Sequence, residues 1–180
     1  QAVYFQALRD EPAITQDICR IAETSGGQAV GLEHRVKLPD SLEEKLHERG
    51  DPMDIHEVSD ILRYTQTFPP ETLTQGVNDS LALYEQKGYE VVQVKNTWSD
   101  TSNPYNGINV KLISPSHQKL EVQFHTPESY EIKNGPMHKL YEEWRKLPED
   151  SDEAIVLQNQ MFALSRQIAV PRNISEVKNR

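Results

Sequence analysis

The sequence predicts an α+β fold, a mixed, roughly five-stranded β-sheet flanked by helices. Three runs, over 89–98, 107–114 and 119–126, alternate apolar and polar residues in the manner of strands. Segments with helical periodicity precede and follow these runs. The length of 180 residues and the hydrophobic fraction of 36% suit one domain with its own core, so we expect residues 1–180 to form a single domain.

The first third of the chain predicts two helices separated by an extended segment. The pattern over 10–27 is helical, with Pro12 in the first turn and two glycines at the end. A short helix is expected over 40–51, because Asp40 is a suitable N-cap and Gly50 a suitable end.

The rest of the chain adds one more strand and three more helices. β-branched and aromatic residues favour a strand over 58–68, and residues 69–88 have helical spacing. A hairpin-length loop joins the last two of the three runs named above. Two further helices are expected over 136–147 and 153–169, and the tail from residue 172 onward is expected to be frayed.

Composition excludes several classes of protein. The net charge of −9 argues against DNA as a partner and against non-specific nucleic-acid binding in general, because such binding needs a basic surface. No apolar run approaches the roughly 18 residues that a membrane helix needs. The single cysteine, Cys19, excludes an internal disulfide. Because the chain begins with Gln1 rather than Met, we expect it to be part of a longer protein.

The run EVQFHT places three polar groups at alternate positions, Glu121, Gln123 and His125. Successive side chains of a strand point to opposite faces, so these three share one face and the apolar residues between them share the other. This pattern is typical of a half-buried strand with a solvated outer face. It is also what a strand that lines an active site requires.

A basic segment precedes the short helix. It contains four residues suited to anion binding: Arg35, Lys37, Ser41 and Lys45. The first two share one side of an extended segment, and the last two share one side of a helix near its N-terminus, where the backbone favours anions. The segment therefore predicts a polyphosphate site, or else an ordinary charged surface.

Two further groups of residues carry chemistry. Asp60 begins a predicted strand that contains Arg63, and together with Glu121 it could hold Mg²⁺, which takes one or two carboxylates plus phosphate oxygens. Asp60 could equally be a turn residue. Tyr105 precedes Asn109 in a segment that is either a turn or a platform on which a base stacks.

Four motifs in this order resemble the synthetase domain of the RelA/SpoT family of alarmone synthetases. They are HRVKLPDSLEEK, SDILRY, YNGIN and EVQFHT, with VKNTW before the third. The resemblance extends from about residue 10 to residue 147. It implies the nucleotidyltransferase-like fold of that family and a pyrophosphokinase, which transfers the β,γ-pyrophosphate of ATP to the 3′-hydroxyl of an acceptor nucleotide and releases AMP.

The resemblance also implies a role for each candidate residue. Asp60 and Glu121 would be the catalytic residues. Asp60 would ligate Mg²⁺, and Glu121 would ligate Mg²⁺ or take the proton from the 3′-hydroxyl. The residues that would bind ATP are Arg35, Lys37, Ser41, Lys45, Arg63 and Lys95. The residues that would bind the acceptor are Tyr105, Asn109, Gln123 and His125.

The acceptor and the biological setting follow from finer likenesses. Guanosine-acceptor members carry a tyrosine directly after the glycine, where this chain has Ile108, and this favours adenosine nucleotides and a (p)ppApp product. The chain is similar to C-terminal toxin domains of type VI secretion effectors. Such a toxin would deplete ATP in the cytoplasm of a recipient bacterium, and its producer would need an immunity protein.

Three alternatives remain open from the sequence. The chain could be a guanosine (p)ppGpp synthetase that acts in its own cytoplasm. It could pyrophosphorylate the 3′-end of tRNA, although the net charge of −9 disfavours that acceptor. It could also be a nucleotide-binding module without catalysis, although a pure binder has no need of both carboxylates.

Overall fold

The computed structural model describes residues 2–47 and 54–180, and its centre is a mixed five-stranded sheet. The strands are β1 (Gln28–Val30), β2 (Arg63–Thr67), β3 (Glu90–Asn96), β4 (Ile108–Ile113) and β5 (Lys119–His125). Their spatial order is β1-β2-β5-β4-β3, and only the β2–β5 pair is parallel. The predicted fold class is confirmed, including the number of strands.

Six α-helices flank this sheet within the described residues. They are α1 (Ala2–Thr24), α2 (Pro39–Leu46), α3 (Leu73–Gln86), α4 (Pro127–Asn134), α5 (Pro136–Trp144) and α6 (Asp152–Arg166). The helix predicted over 69–88 is confirmed as α3, and its apolar stripe is fully buried against the sheet.

Strand register divides the sheet into two chemically different faces. Arg63 on β2 lies beside Glu121 on β5, and Thr65 lies beside Gln123. Residues that are directly opposite on neighbouring strands share a face, so this face is polar. The other face of β5 carries only apolar side chains without exposed area, as the alternation predicts: Leu120, Val122 and Phe124. The apolar face forms the core with α1 and α3.

Helix α1 begins eight residues earlier than the sequence predicts. Pro12 therefore lies in the middle of the helix rather than in its first turn. An interior proline removes one helical hydrogen bond, which is why the pattern indicated a helix start. Tertiary contacts compensate: Ala7 is fully buried, and the Tyr4 hydroxyl donates to the backbone oxygen of Lys37 at 3.0 Å.

Two other boundaries differ near the predicted phosphate site. Helix α2 starts at Pro39 with Leu38 as its N-cap, so Asp40 lies inside the first turn and does not cap. Gly50, the predicted end of this helix, lies outside the described residues. Strand β2 starts at Arg63 rather than at residue 58, and before it only Leu62 forms an isolated bridge, with Val36.

The C-terminal tail is ordered, which contradicts the prediction that it is frayed. Ile174 and Val177 are buried in the main core. Arg180 exchanges two backbone hydrogen bonds with Val94 of β3, and the Asn179 side chain accepts from the Asn96 amide at 2.6 Å. The tail thus covers part of an edge strand, whose unpaired groups would otherwise stay open.

Candidate active site

A cavity of about 1060 Å³ lies between the polar face of the sheet and helices α4 to α6. This is at the upper end of the range for small-molecule sites, roughly 300–1,000 Å³. Five of the residues singled out in the sequence line it together: Asp60, Arg63, Tyr105, Glu121 and Gln123. The alternative of a solvated outer strand face is therefore wrong for β5.

Asp60 is held between two lysines at one end of the cavity. The Lys45 Nζ donates to one carboxylate oxygen at 2.8 Å, and the Lys37 Nζ donates to the other at 3.1 Å. Burial raises the pKa of Asp60, but the hydrogen bonds and charges of the two lysines outweigh it and leave the pKa below its ordinary value. Asp60 is therefore a carboxylate at neutral pH, and Lys37 is itself buried.

Glu121 belongs to a chain of hydrogen bonds that fixes its direction. The Lys133 Nζ donates to Gln123 Oε1 at 2.7 Å, and Gln123 Nε2 donates to Glu121 Oε1 at 2.9 Å. Because an ammonium group can only donate, Lys133 sets the orientation of the Gln123 amide. Burial lowers the pKa of Lys133, and the Glu121 carboxylate offsets part of this, whereas Arg63 adds to it.

His125 supports this face from below. It has no exposed area, and its two ring nitrogens lie 3.0 Å from the Tyr105 hydroxyl and 2.8 Å from the Ser129 hydroxyl. Burial and then the charge of Lys133 lower the pKa of His125 to about 3, so the imidazole is neutral at physiological pH. The Tyr105 hydroxyl also donates to Asn109 Oδ1 at 2.7 Å. The structure thus places Asn109 and His125 behind Tyr105, where they position that ring.

Gly107 allows this packing. A Cβ at this position would lie 2.6 Å from Tyr105 Cζ and 2.8 Å from His125 Cε1, closer than carbon atoms approach. The space beside Gly107 is therefore filled by the rings of Tyr105 and His125. Ile108 is fully buried on the apolar face of β4. It cannot touch a base in the cavity, so the argument for adenosine that was based on Ile108 is wrong.

Three of the predicted ATP-binding residues lie apart from Asp60 and Glu121. Arg35 forms an ion pair with Glu11 of α1 at 3.2 Å, and Lys95 lies exposed on the edge strand β3 beside a separate recess. Neither these two nor Ser41 is among the described residues that line the cavity. Arg35 and Lys37 do not share one side as predicted, because Arg35 is the C-cap of the 3₁₀ turn at 32–34 and has helical rather than extended backbone angles, φ −65° and ψ −24°.

Lys133 lies on helix α4, which was not predicted from the sequence. Helix α4 follows β5 directly, and it begins with a capping box in which Thr126 and Ser129 bond each other's backbone amides, with Pro127 at the first position. That signal was present in the sequence. Given the helix, its period would have placed Tyr130 and Lys133 on one side, and both line the cavity.

Two carboxylates that line the cavity, those of Asp60 and Glu121, could hold a divalent cation that also binds phosphate. Among residues 2–47 and 54–180, no group of three or more His, Cys, Asp or Glu side chains is placed to hold a metal ion. Magnesium needs only one or two carboxylates when phosphates supply further oxygens, and Asp60 and Glu121 meet that condition in one cavity. None of the helices described is both long and apolar enough to span a bilayer.

Solved structures share this architecture. The type VI effector Tas1, solved in complex with its immunity protein, aligns with a TM-score of 0.65 and 22% identity over 93% of this chain and 96% of that chain. Small alarmone synthetase 1 from Bacillus subtilis aligns with a TM-score of 0.61 and 20% identity over 92% of this chain and 88% of its own.

The chain has the fold of the small alarmone synthetases. The same Bacillus subtilis synthetase, solved bound to its product pppGpp, aligns with a TM-score of 0.59 and 19% identity over 97% of this chain and 92% of that chain. The resemblance inferred from the four motifs is thus confirmed at the level of the fold. No protein-family model and no curated protein matches the sequence.

Proposed function

We propose that this alarmone-synthetase fold is a Mg²⁺-dependent pyrophosphokinase. It transfers the β,γ-pyrophosphate of ATP to the 3′-hydroxyl of a purine nucleotide and releases AMP. The observation that carries the proposal is that Asp60, which precedes β2, and Glu121 of β5 line one cavity, with Lys37 and Lys45 bound to Asp60. Pyrophosphate transfer depends on positioning and charge neutralisation more than on covalent chemistry, and this set of residues supplies both.

The donor phosphates would lie at the Asp60 end of the cavity. Lys37 and Lys45 now donate to Asp60, and on binding of ATP they would exchange this carboxylate for phosphate oxygens. Arg63 faces the same space from β2. Asp60 and Glu121 would hold the Mg²⁺, which when bound neutralises charge on the transferring phosphates.

Glu121 would be the general base. Its carboxylate accepts the proton of the acceptor 3′-hydroxyl, and the oxygen attacks the β-phosphorus of ATP. The bond between that phosphorus and the oxygen bridging it to the α-phosphorus breaks, and AMP leaves. The Lys133–Gln123 pair fixes one oxygen of Glu121, so that the carboxylate is oriented before substrate binds.

The acceptor and the biological role are further steps of the proposal. We extend the proposal, from the sequence resemblance, to adenosine nucleotides as acceptors, (p)ppApp as product and depletion of ATP. The fold shared with the type VI effector Tas1, solved with its immunity protein, supports a role as a secreted toxin that an immunity protein neutralises. With Ile108 buried in the core, guanosine nucleotides are an equal candidate acceptor, and the fold shared with a synthetase solved with pppGpp favours testing them in parallel.

The test is a product assay with separate acceptors. The protein is incubated with ATP, Mg²⁺ and either AMP, ADP, GDP or tRNA, and the nucleotides are resolved by chromatography. Formation of AMP from ATP together with a 3′-pyrophosphorylated purine nucleotide is expected. A protein that binds ATP yet forms no AMP with any acceptor would be a binding module, and the proposal would be wrong. Product from GDP alone would exclude the adenosine assignment.

A further inference from the structure

The cavity is chemically divided. Its sheet side carries the charged groups Asp60, Arg63 and Glu121. The described lining residues of the wall formed by α5 and α6 include no Asp, Glu, Lys or Arg; four are large apolar or aromatic side chains, Met137, Tyr141, Trp144 and Met161, and two are polar, His138 and Gln158. A nucleotide has the same division, since its phosphates are charged and its base is flat and largely apolar. The phosphates of a nucleotide match the charged side of the cavity, and its base matches the apolar wall.

Helix α5 presents this wall through residues spaced at i, i+4 and i+7, namely Met137, Tyr141 and Trp144, which share one side of a helix. Packing against α6 does not seal that side. Of the nine residues of α5 only Met137 is buried, and Tyr141 remains 42% exposed. The ring centroids of Tyr141 and Trp144 lie 5.9 Å apart and the ring planes are inclined by 32°, so the two aromatic side chains are neighbours on this wall.

We propose that Tyr141 and Trp144 form the platform on which the purine base of the acceptor nucleotide stacks. The inference rests on the proposed function and adds the residues that recognise the acceptor. The wall belongs to α5 and α6, whereas Asp60, where the donor phosphates would bind, precedes β2, and α6 is tied to the Tyr105 loop by the bond from the Asn106 side chain to the Ser165 oxygen at 3.2 Å. We therefore assign the base of the acceptor, rather than the base of ATP, to this wall.

Tyr105 fits this role less well than the sequence predicts. Its hydroxyl is turned toward the sheet and bonded to Asn109, and its ring meets His125 edge to face at 5.5 Å. These contacts hold the ring against Gly107. Tyr141, in contrast, has a guanidinium on its ring, with the Arg145 Cζ 5.9 Å from the centroid, an arrangement that also suits the π-face of a base.

Binding can be tested by the fluorescence of Trp144, since the chain has only two tryptophans, Trp98 and Trp144. In a Trp98→Phe variant, AMP and GDP should quench the remaining emission saturably, and ribose 5-phosphate and inorganic tripolyphosphate should not. Adding Tyr141→Ala should weaken the affinity for the nucleotides about 5- to 150-fold, the range that stacking on one base provides. Should Trp98→Phe fold poorly, the difference between the parent protein and Trp144→Phe gives the same signal.

Kinetics identify which nucleotide is bound. Tyr141→Ala should raise KM for the acceptor and leave KM for ATP unchanged, while Phe5→Ala, which removes an aromatic ring 61% exposed on α1, should change neither. Equal quenching by ribose 5-phosphate, an unchanged acceptor KM, or a rise confined to KM for ATP would each overturn the platform. If base-specific quenching occurs but no AMP forms, the proposed function fails and the platform stands.

Discussion

The two sides of the cavity are built in different ways. On the sheet side, strand register places Glu121, Gln123 and Arg63 next to one another, and hydrogen bonds hold the first two in one geometry. On the helical side, Tyr141 and Trp144 lie on a helix that is mostly exposed, and packing alone positions them. With the roles proposed above, the reacting groups and the groups that recognise the base have separate supports, so changes at Glu121 and Gln123 should alter the rate and changes at Tyr141 and Trp144 should alter acceptor binding.

The largest effect should come from Glu121→Gln. This change keeps the shape and removes the base, so kcat should fall about 10²- to 10⁴-fold. KM for the acceptor should change little, because the amide still fills the same space, whereas the apparent affinity for Mg²⁺ should fall, because a neutral amide replaces one of its proposed carboxylate ligands. The measurement is AMP release at saturating ATP and acceptor. Release at the parent rate would contradict the mechanism and would also break the division between the two sides of the cavity.

Asp60→Asn should reduce both activity and stability. Lys37 is 8% exposed, and without the carboxylate it becomes a buried cation lacking a counter-charge. The free energy of unfolding should fall by about 1.5–3 kcal/mol, measured by urea titration at pH 7. The matched control is the double variant Asp60→Asn with Lys37→Met, which should regain stability but not AMP release. Recovery of both would show that Asp60 is only structural.

Lys133→Met should lower kcat about tenfold, the size of effect expected when a positioned group loses its support. If Lys133 acts by orienting the Gln123 amide, its effect should largely vanish in a Gln123→Ala background. A double-mutant cycle on kcat measures this coupling. Strictly additive losses would mean that Lys133 contacts phosphate directly, and Lys133→Arg would then retain most of the activity.

Replacing His125 should change the pH dependence of the free energy of unfolding more than it changes kcat. The folded pKa is about 3, well below the ordinary value of 6.5. Between these values the unfolded chain binds a proton that the folded chain does not, so stability falls as pH drops from 6.5, by up to about 1.4 kcal/mol per pH unit. Urea titrations at pH 6.5, 5.5 and 4.5 should give a flatter slope for His125→Gln. Parallel slopes would show that His125 titrates normally.

The sequence predicted the sheet side of the cavity well, because alternation along one strand directly reports which residues share a face. Glu121 and Gln123 were found in this way. Asp60 was predicted at the start of a strand, but the strand begins at Arg63, three residues later. The error does not affect the site, because the partners of Asp60, Lys37 and Lys45, come from the preceding segment.

The helical side could not be predicted in the same way. Tyr141 and Trp144 looked like one side of an amphipathic helix, and only the tertiary arrangement shows that this side faces a cavity instead of the core. The first half of α1 was not predicted, because a proline such as Pro12 usually marks the start of a helix. Here the long-range contacts of Tyr4 and Ala7 stabilise helix before the proline and override that preference. Ile108 was wrongly placed at the acceptor base, because the sequence of β4 alone does not say which of its two faces lines the cavity.

The contacts of Asp60 with Lys37 and Lys45 affect how magnesium and a nucleotide can bind. Each Asp60 oxygen accepts one lysine hydrogen bond, so a divalent ion must compete with Lys37 and Lys45 for this carboxylate, while the two lysines together exceed its charge by one. A metal that carries a phosphate chain offers each of the three side chains a new partner at once. The protein should therefore bind the magnesium–nucleotide complex more tightly than it binds magnesium ions or the nucleotide alone.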